Sequence, residues 1–365
     1  MRRIVSVLVA AMVWLPLLHW VVVADPREGL RAHVLQRWTS PPAAPEEMRA
    51  VNPEWDFMAR TYSALALAMQ GPAGLHAIDV ILEDTLQGER LHGQAHYLLP
   101  YAHARAFVHP EGRSVFVDGE ILLMITAREE LARAAGQPPR YLEEAERRAQ
   151  AITVSMQASP TLSAESYPDE CWTFCNTTAL AALQRYDRLR AHAEHAELTQ
   201  RWLAHARAHL VDPSNGLLIS SYTRDGRILQ GAEGSSLWMT IHNLTDLDPE
   251  FSRAQYTIAQ RELAQRVLGF GWSREWPRSA PREGAQVDVD SGGVVPVLEA
   301  SAGASGMAFL AAAAQGDRGT LDALTASLSL GAIPRADHGG FYASNEVGDA
   351  VILYSLELAQ RQEVR

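Results

Sequence analysis

Apolar residues recur at helical spacing along most of the chain beyond residue 50, as in Phe57, Tyr62, Leu65 and Ala68. The pattern predicts helices at about 54–69, 74–88, 118–135, 140–157, 175–191, 195–210, 234–246, 249–269, 301–315, 318–330 and 345–361, with Asp118, Asn176, Asp317 and Asn345 as N-caps. Alternate members of this series differ in polarity. Ile121–Ile125 and Ala308–Ala312 are apolar all round, as an inner ring requires, whereas Glu143–Arg148 is heavily charged. The apolar members begin near 54, 118, 175, 234, 301 and 345, giving six helical hairpins of which the last lacks a partner. An amphipathic stretch at Arg27–Trp38 is placed to close the ring. The hairpins share architecture and not sequence. The expected fold is all-α, an (α/α)6 toroid or barrel, with a small β-hairpin insertion at about 217–230 around the turn Asp225-Gly226.

Ahead of the barrel the pattern changes. Met1-Arg2-Arg3 is followed by an apolar run of 21 residues, Ile4 to Ala24, without Asp, Glu or Arg. Residues 1–24 therefore read as a signal peptide or a signal anchor. The run exceeds the usual signal-peptide centre of about 7–15 residues and nears the roughly 20 that span a bilayer. Pro16 and His19 weaken it as a permanent span. Residues 25–50 hold the amphipathic helix and a Pro-rich linker, and 51–365 form one barrel domain. The expected location is periplasmic or otherwise extracytoplasmic, either released or held at the inner membrane through residues 4–24.

Composition narrows the chemistry. Of 365 residues 47% are hydrophobic and 21% charged, the profile of a folded chain with a sizeable core. All 32 basic side chains are Arg, so a Schiff-base or pyridoxal lysine and a phosphate-loop GK[ST] are excluded. A net charge of −11 with dispersed Arg excludes a nucleic-acid binder. Outside the cytoplasm Cys171 and Cys175 can persist as a disulfide, although a spacing of four on one helix suits a bridge poorly. Metal is not expected, because the chain has no second Cys pair and no HExxH.

In such a ring the inner helices run parallel and their N-terminal ends share one face. Five polar stretches converge there: Asp118-Gly119-Glu120, Asp169 to Asn176, Gly234 to Trp238, Asp288 to Gly293 and Asn345-Glu346. Glu120 sits one turn into an apolar helix, where burial would raise its pKa as a general acid needs. Cys175 at a helix start would have a lowered pKa. Asp169 and Asp290 are further acid/base candidates, and Asp288 flanks the same Gly-rich turn as Asp290. Ser166, Asn176, Trp172, Trp238, Asp118 and Asp288 are the candidate substrate-binding residues. Plain N-capping for Asp118 and Asp290, and packing for the Trp residues, are the alternatives. The histidines form no ligand set, and His192, His195 and His205 read as solvated surface.

Ser166-Tyr167-Pro168-Asp169-Glu170-Cys171-Trp172-Thr173-Phe174-Cys175-Asn176, with Tyr186 to Leu189, Leu210 to Pro213, Leu247 to Ser252 and Asp288 to Gly293, resembles the linalool dehydratase/isomerase family. The resemblance covers roughly residues 50 to 320. It implies an α/α toroid, export, no cofactor, and homo-oligomers whose site lies near a subunit boundary. The implied activity is loss of water from a tertiary terpene alcohol and allylic isomerisation. Cys175 matches the second of the family's two active-site cysteines, and Ser166 stands in the place of the first. Glu120 stands where the family has a catalytic histidine, and Ala59 where it has a tyrosine. The linker at 39–50 has no match for the Asp and Tyr supplied by the neighbouring subunit. The expected function is thus a cofactor-free lyase or isomerase acting on a small hydroxylated substrate. The alternatives are a glycan-active hydrolase, lyase or epimerase using Trp55, Trp172, Trp238, Trp272 and Trp276 as stacking surfaces, and a non-catalytic envelope protein that keeps the fold.

Overall fold

The computed structural model describes residues 2–22, 25–39, 46–280, 294–295, 297–335 and 339–363. Six helices form an inner ring: α4 (Pro53–Met69), α6 (Val115–Ala134), α8 (Thr173–Arg190), α10 (Gly234–Leu247), α12 (Ala302–Ala314) and α14 (Glu346–Glu363). Each packs on the next, and α14 returns to α4, so the ring is closed. The outer layer is α5 (Leu75–His92), α7 (Leu142–Gln157), α9 (Ala196–His209), α11 (Pro249–Glu262) and α13 (Arg318–Gly331), completed by α2 (Arg27–Thr39). α1 (Arg2–Val22) and the short α3 (Glu46–Val51) precede the ring. The (α/α)6 barrel read from the sequence is the fold.

The inner helices are apolar on nearly every side because each has neighbours all round. From Val115 to Glu129 every residue of α6 is buried. α6 and α8 approach closely at Gly119, where an added Cβ would lie 3.1 Å from the Cα of Ala179. The outer helices bury one stripe, as α2 does with Leu30, Val34 and Trp38 at i, i+4 and i+8. α2 docks on α14 through the ion pairs Arg31–Glu357 and Arg37–Glu346, with His33 Nε2 3.7 Å from Asp349 Oδ2. Among the described residues no helix is long and apolar enough to cross a membrane. α1 exposes Ile4, Leu8 and Trp14 among its apolar side chains.

Three local expectations are corrected. The helix expected at 249–269 stops at Glu262, and the chain turns into β4 (Ala264–Val267) and β5 (Phe270–Ser273), an antiparallel pair. With β6 (Val294–Val295) and β7 (Ala300–Ser301) they form a four-stranded sheet in the order β4-β5-β7-β6. The turn at Leu268-Gly269 takes positive φ at both residues, the geometry of a two-residue hairpin loop joining β4 to β5. The insertion at 217–230 is β2 (Ser221–Tyr222) and β3 (Ile228–Gln230), and β1 (Cys171–Trp172) joins it as a third strand. Asp118 and Asn176 are not caps, because their helices begin earlier: Ser114 caps α6 and Trp172 precedes α8. Asp317 and Asn345 do cap, accepting from Thr320 N and Gly348 N. The Pro-rich linker at 40–45 lies outside the described residues.

Candidate active site

A cavity of about 1390 Å³ opens where the N-terminal ends of α4, α8, α10, α12 and α14 meet. Its deeper wall is apolar, with Met58, Phe174, Met239, Phe309 and Val351, and Cys175 lies among them. Its upper wall carries Trp55, Trp172, Trp272 and Trp276, together with Glu54, Glu170, Asp212 and Glu233. Tyr167 donates its hydroxyl to Glu54, and Tyr101, stacked on Tyr167 at 4.5 Å, donates to Glu170 Oε2 at 3.2 Å.

The segment before α8 is held from below. The buried Glu165 carboxylate accepts the backbone N–H groups of Val108, His109 and Asp169 at 2.7–2.9 Å. This holds the turn in which Asp169 adopts φ +55°. Asn176 ties α8 to the segment that precedes it, accepting Ala164 N at 2.8 Å and donating to Ala164 O at 3.1 Å and Trp172 O at 2.9 Å. Ser166 Oγ accepts Trp172 N at 3.2 Å and is hydrogen-bonded to Cys175. Both cysteines are free, and Cys171 Sγ donates to Ser163 O at 3.8 Å.

Burial dominates the electrostatics. It pushes the Cys175 thiol well above its ordinary pKa, and the nearby Glu54 and Glu120 charges add to the effect. The lowered pKa expected from the helix start is overturned, because desolvation in an apolar floor outweighs the helix dipole. Glu120 lies inside the ring, next to this floor but not on the cavity surface. Burial raises its pKa to about 7, opposed by a hydrogen bond from Thr61. Its Oε2 has no hydrogen-bond partner among the described residues. Below it the polar column continues through Tyr62, which feels the Glu120 charge, and Tyr354, whose hydroxyl lies 3.4 Å from His242 Nε2.

The structure thus brings Glu120, Cys175, Ser166 and Trp172 together. Other candidates lie elsewhere. Asp118 is a buried ion-pair centre, 2.7 Å from Arg148 Nη1 and 2.8 Å from Arg113 Nε, and also accepts Gln94 Nε2 at 2.8 Å. Trp238 is buried in the core with its indole N–H on Ser273 Oγ at 2.8 Å. Asp169 is half-buried away from the cavity and accepts Arg224 N at 3.3 Å. Asp288 and Asp290 lie outside the described residues. His195, read as surface, is buried with its Nδ1 2.6 Å from Asp187, which also accepts its backbone N–H at 2.9 Å. Glu54 and Tyr101 carry no sequence signal, Tyr167 and Glu170 lie in the resemblance motif without an assigned role, and Thr61 and Tyr62 carried a missed signal: polar groups on an inner helix, as at Glu120. Among the described residues no three His, Cys, Asp or Glu side chains gather as metal ligands.

No curated protein matches the chain in sequence. Among solved structures it is similar to the family-76 α-1,6-mannanase of Salegentibacter sp. HEL1_6, at TM-score 0.59 and 11% identity over 92% of this chain and 98% of that one. It is also similar to a family-76 glycoside hydrolase from a bovine Bacteroides thetaiotaomicron strain, at TM-score 0.52 and 12% identity over 93% and 79% of the two chains. A polysaccharide lyase matches at TM-score 0.50 and 11% identity over 94% and 99%. At such identities the likeness is one of fold. In sequence, residues 126–347, which contain Cys175 but not Glu120, match the linalool dehydratase/isomerase family profile. The chain belongs to the linalool dehydratase/isomerase family.

Proposed function

We propose that the protein is a cofactor-free lyase or isomerase that removes or relocates a hydroxyl group on an alkenol-type substrate. One observation carries this reading. Cys175 is the titratable side chain on the apolar cavity floor, and behind it stands a buried carboxyl with one unpartnered oxygen. The Cys175 thiol gives its proton to the leaving hydroxyl, which departs as water. The resulting thiolate takes the allylic proton and is a thiol again, so the cycle balances. Glu120, neutral below a pKa of about 7, then places no like charge beside the thiolate in the interval. Ser166, hydrogen-bonded to Cys175, holds the sulfur in place. Family membership supports export from the cytoplasm and a homo-oligomer, which fractionation and light scattering test directly.

The catalytic test is turnover of a panel of tertiary and allylic alkenols, read as volatile product. Cys175→Ser is expected to lower turnover by about 10²–10⁴-fold. Wild-type activity is expected to fall as pH rises through about 7, as Glu120 loses its proton, and Glu120→Gln to flatten that limb. Unchanged turnover in both variants overturns the reading. The four Trp residues on the cavity wall favour glycan chemistry as a second reading. Cleavage of any member of an oligosaccharide panel would establish it.

A further inference from the structure

The cavity divides along its depth. Met58, Met239, Phe309 and Val351 are buried, and each lies more than one turn into its own helix, so the lower part is apolar. The upper part is built from helix starts and strand residues and is both aromatic and rich in hydrogen-bonding oxygens. Trp272 is fixed there by its indole N–H on Leu298 O at 3.0 Å. Trp172 lines the same wall, and its buried indole N–H has no partner among the described residues. The chain has 32 basic side chains, all Arg, yet no Arg or His is among the described residues that line the cavity. Its volume, about 1390 Å³, exceeds the roughly 300–1,000 Å³ that holds a drug-sized ligand, leaving room beyond a short alkenol.

We infer that the cavity binds a two-part ligand: an apolar alkenyl or alkyl portion on the Met58–Met239–Val351 floor and a neutral, polyhydroxylated head against Trp172 and Trp272. Indole faces suit the C–H faces of a sugar ring, and carboxylate and serine oxygens accept its hydroxyl protons. The unpartnered Trp172 N–H offers a donor to a ring or hydroxyl oxygen. Among the described residues of this wall an anionic head meets carboxylates and no cationic side chain. The inference rests on the lyase reading only for which end reacts; binding is independent of it.

Calorimetry on the full chain tests this with octyl β-glucoside below its critical micelle concentration, 1-octanol, glucose and octyl β-glucuronide. Octyl glucoside is expected to bind at least 10-fold more tightly than octanol, and glucose more weakly than either. The glucuronide is expected at least 10-fold weaker than the glucoside, with the gap narrowing in high salt. Trp272→Ala should bring the glucoside to the octanol level while octanol binding stays. Should that variant misfold by circular dichroism, Trp172→Phe, which keeps an aromatic face but removes the indole donor, is expected to lower glucoside affinity alone. Equal affinity for octanol and octyl glucoside, or for glucoside and glucuronide, overturns the inference. A failed catalytic reading shows separately, as turnover indifferent to Cys175→Ser.

Discussion

Glu120 is a carboxyl that the fold holds in an unfavourable place. Its folded pKa of about 7 exceeds the ordinary 4.5, so the folded state keeps a proton that the unfolded chain releases. Its cost is absent below about pH 4.5, grows as pH rises, and is complete above about 7. It amounts there to about 3 kcal/mol. Glu120→Gln is therefore expected to be more stable than wild type at pH 8 and nearly equal at pH 4.5, as measured by urea unfolding. A constant difference across that range would show that the carboxyl is not desolvated. The same position was legible in the sequence, because one acidic residue inside an apolar helix has few innocuous explanations. Cys175 was legible in place but not in acidity. A motif locates a thiol at a helix start, whereas the surrounding Phe174, Met58 and Glu54 that decide its proton come from two helices and meet only in three dimensions.

At the level of elements, polarity alternation exposed the ring because inner and outer helices bury different fractions of their surface. Apart from the hairpin at 217–230, the strands escaped because their sequence signal is short: β1, β6 and β7 have two residues each, too few for a two-residue period to register. Spacing between helices depends on small residues. Gly119→Val would push a side chain into Ala179 and is expected to destabilise by about 1–3 kcal/mol, as seen in the urea midpoint at unchanged slope. α2 is bound by packing more than by charge. Trp38 is buried, with the Arg60 guanidinium 5.4 Å from its ring centre. Trp38→Ala is expected to cost about 3–5 kcal/mol, whereas Arg31→Ala, at a half-exposed ion pair, should cost less than 1 kcal/mol. Equal effects would mean that the ion pairs hold the helix.

For the molecule as a whole, the parallel inner ring explains why one face carries the chemistry. Five helix starts open on the same cavity, those of α8, α10 and α14 at stretches expected from the sequence and those of α4 and α12 in addition, whereas Asp118-Gly119-Glu120 of α6 does not line it. What counting did not reveal is which polar residues on that face serve the framework. Asp118 and Asn176 look like site residues among polar helix starts, yet one gathers two arginines and the other knits α8 to the segment before it. The sixth hairpin has a further consequence. Arg31 meets Glu357 and Arg37 meets Glu346, so numbering rises along α2 as it falls along α14. The two are an antiparallel hairpin assembled from opposite ends of the chain, without a connecting loop. A circular permutant should therefore be tolerated. A short Gly/Ser linker from residue 363 to residue 27, with new ends opened at the exposed Gly136–Pro139 turn, should keep the near-ultraviolet dichroism and the cavity's ligand affinity. The permutation relocates the ring's long-range closure, from α14 on α4 to α6 on α8, and does not remove it, so no gain in refolding rate is expected.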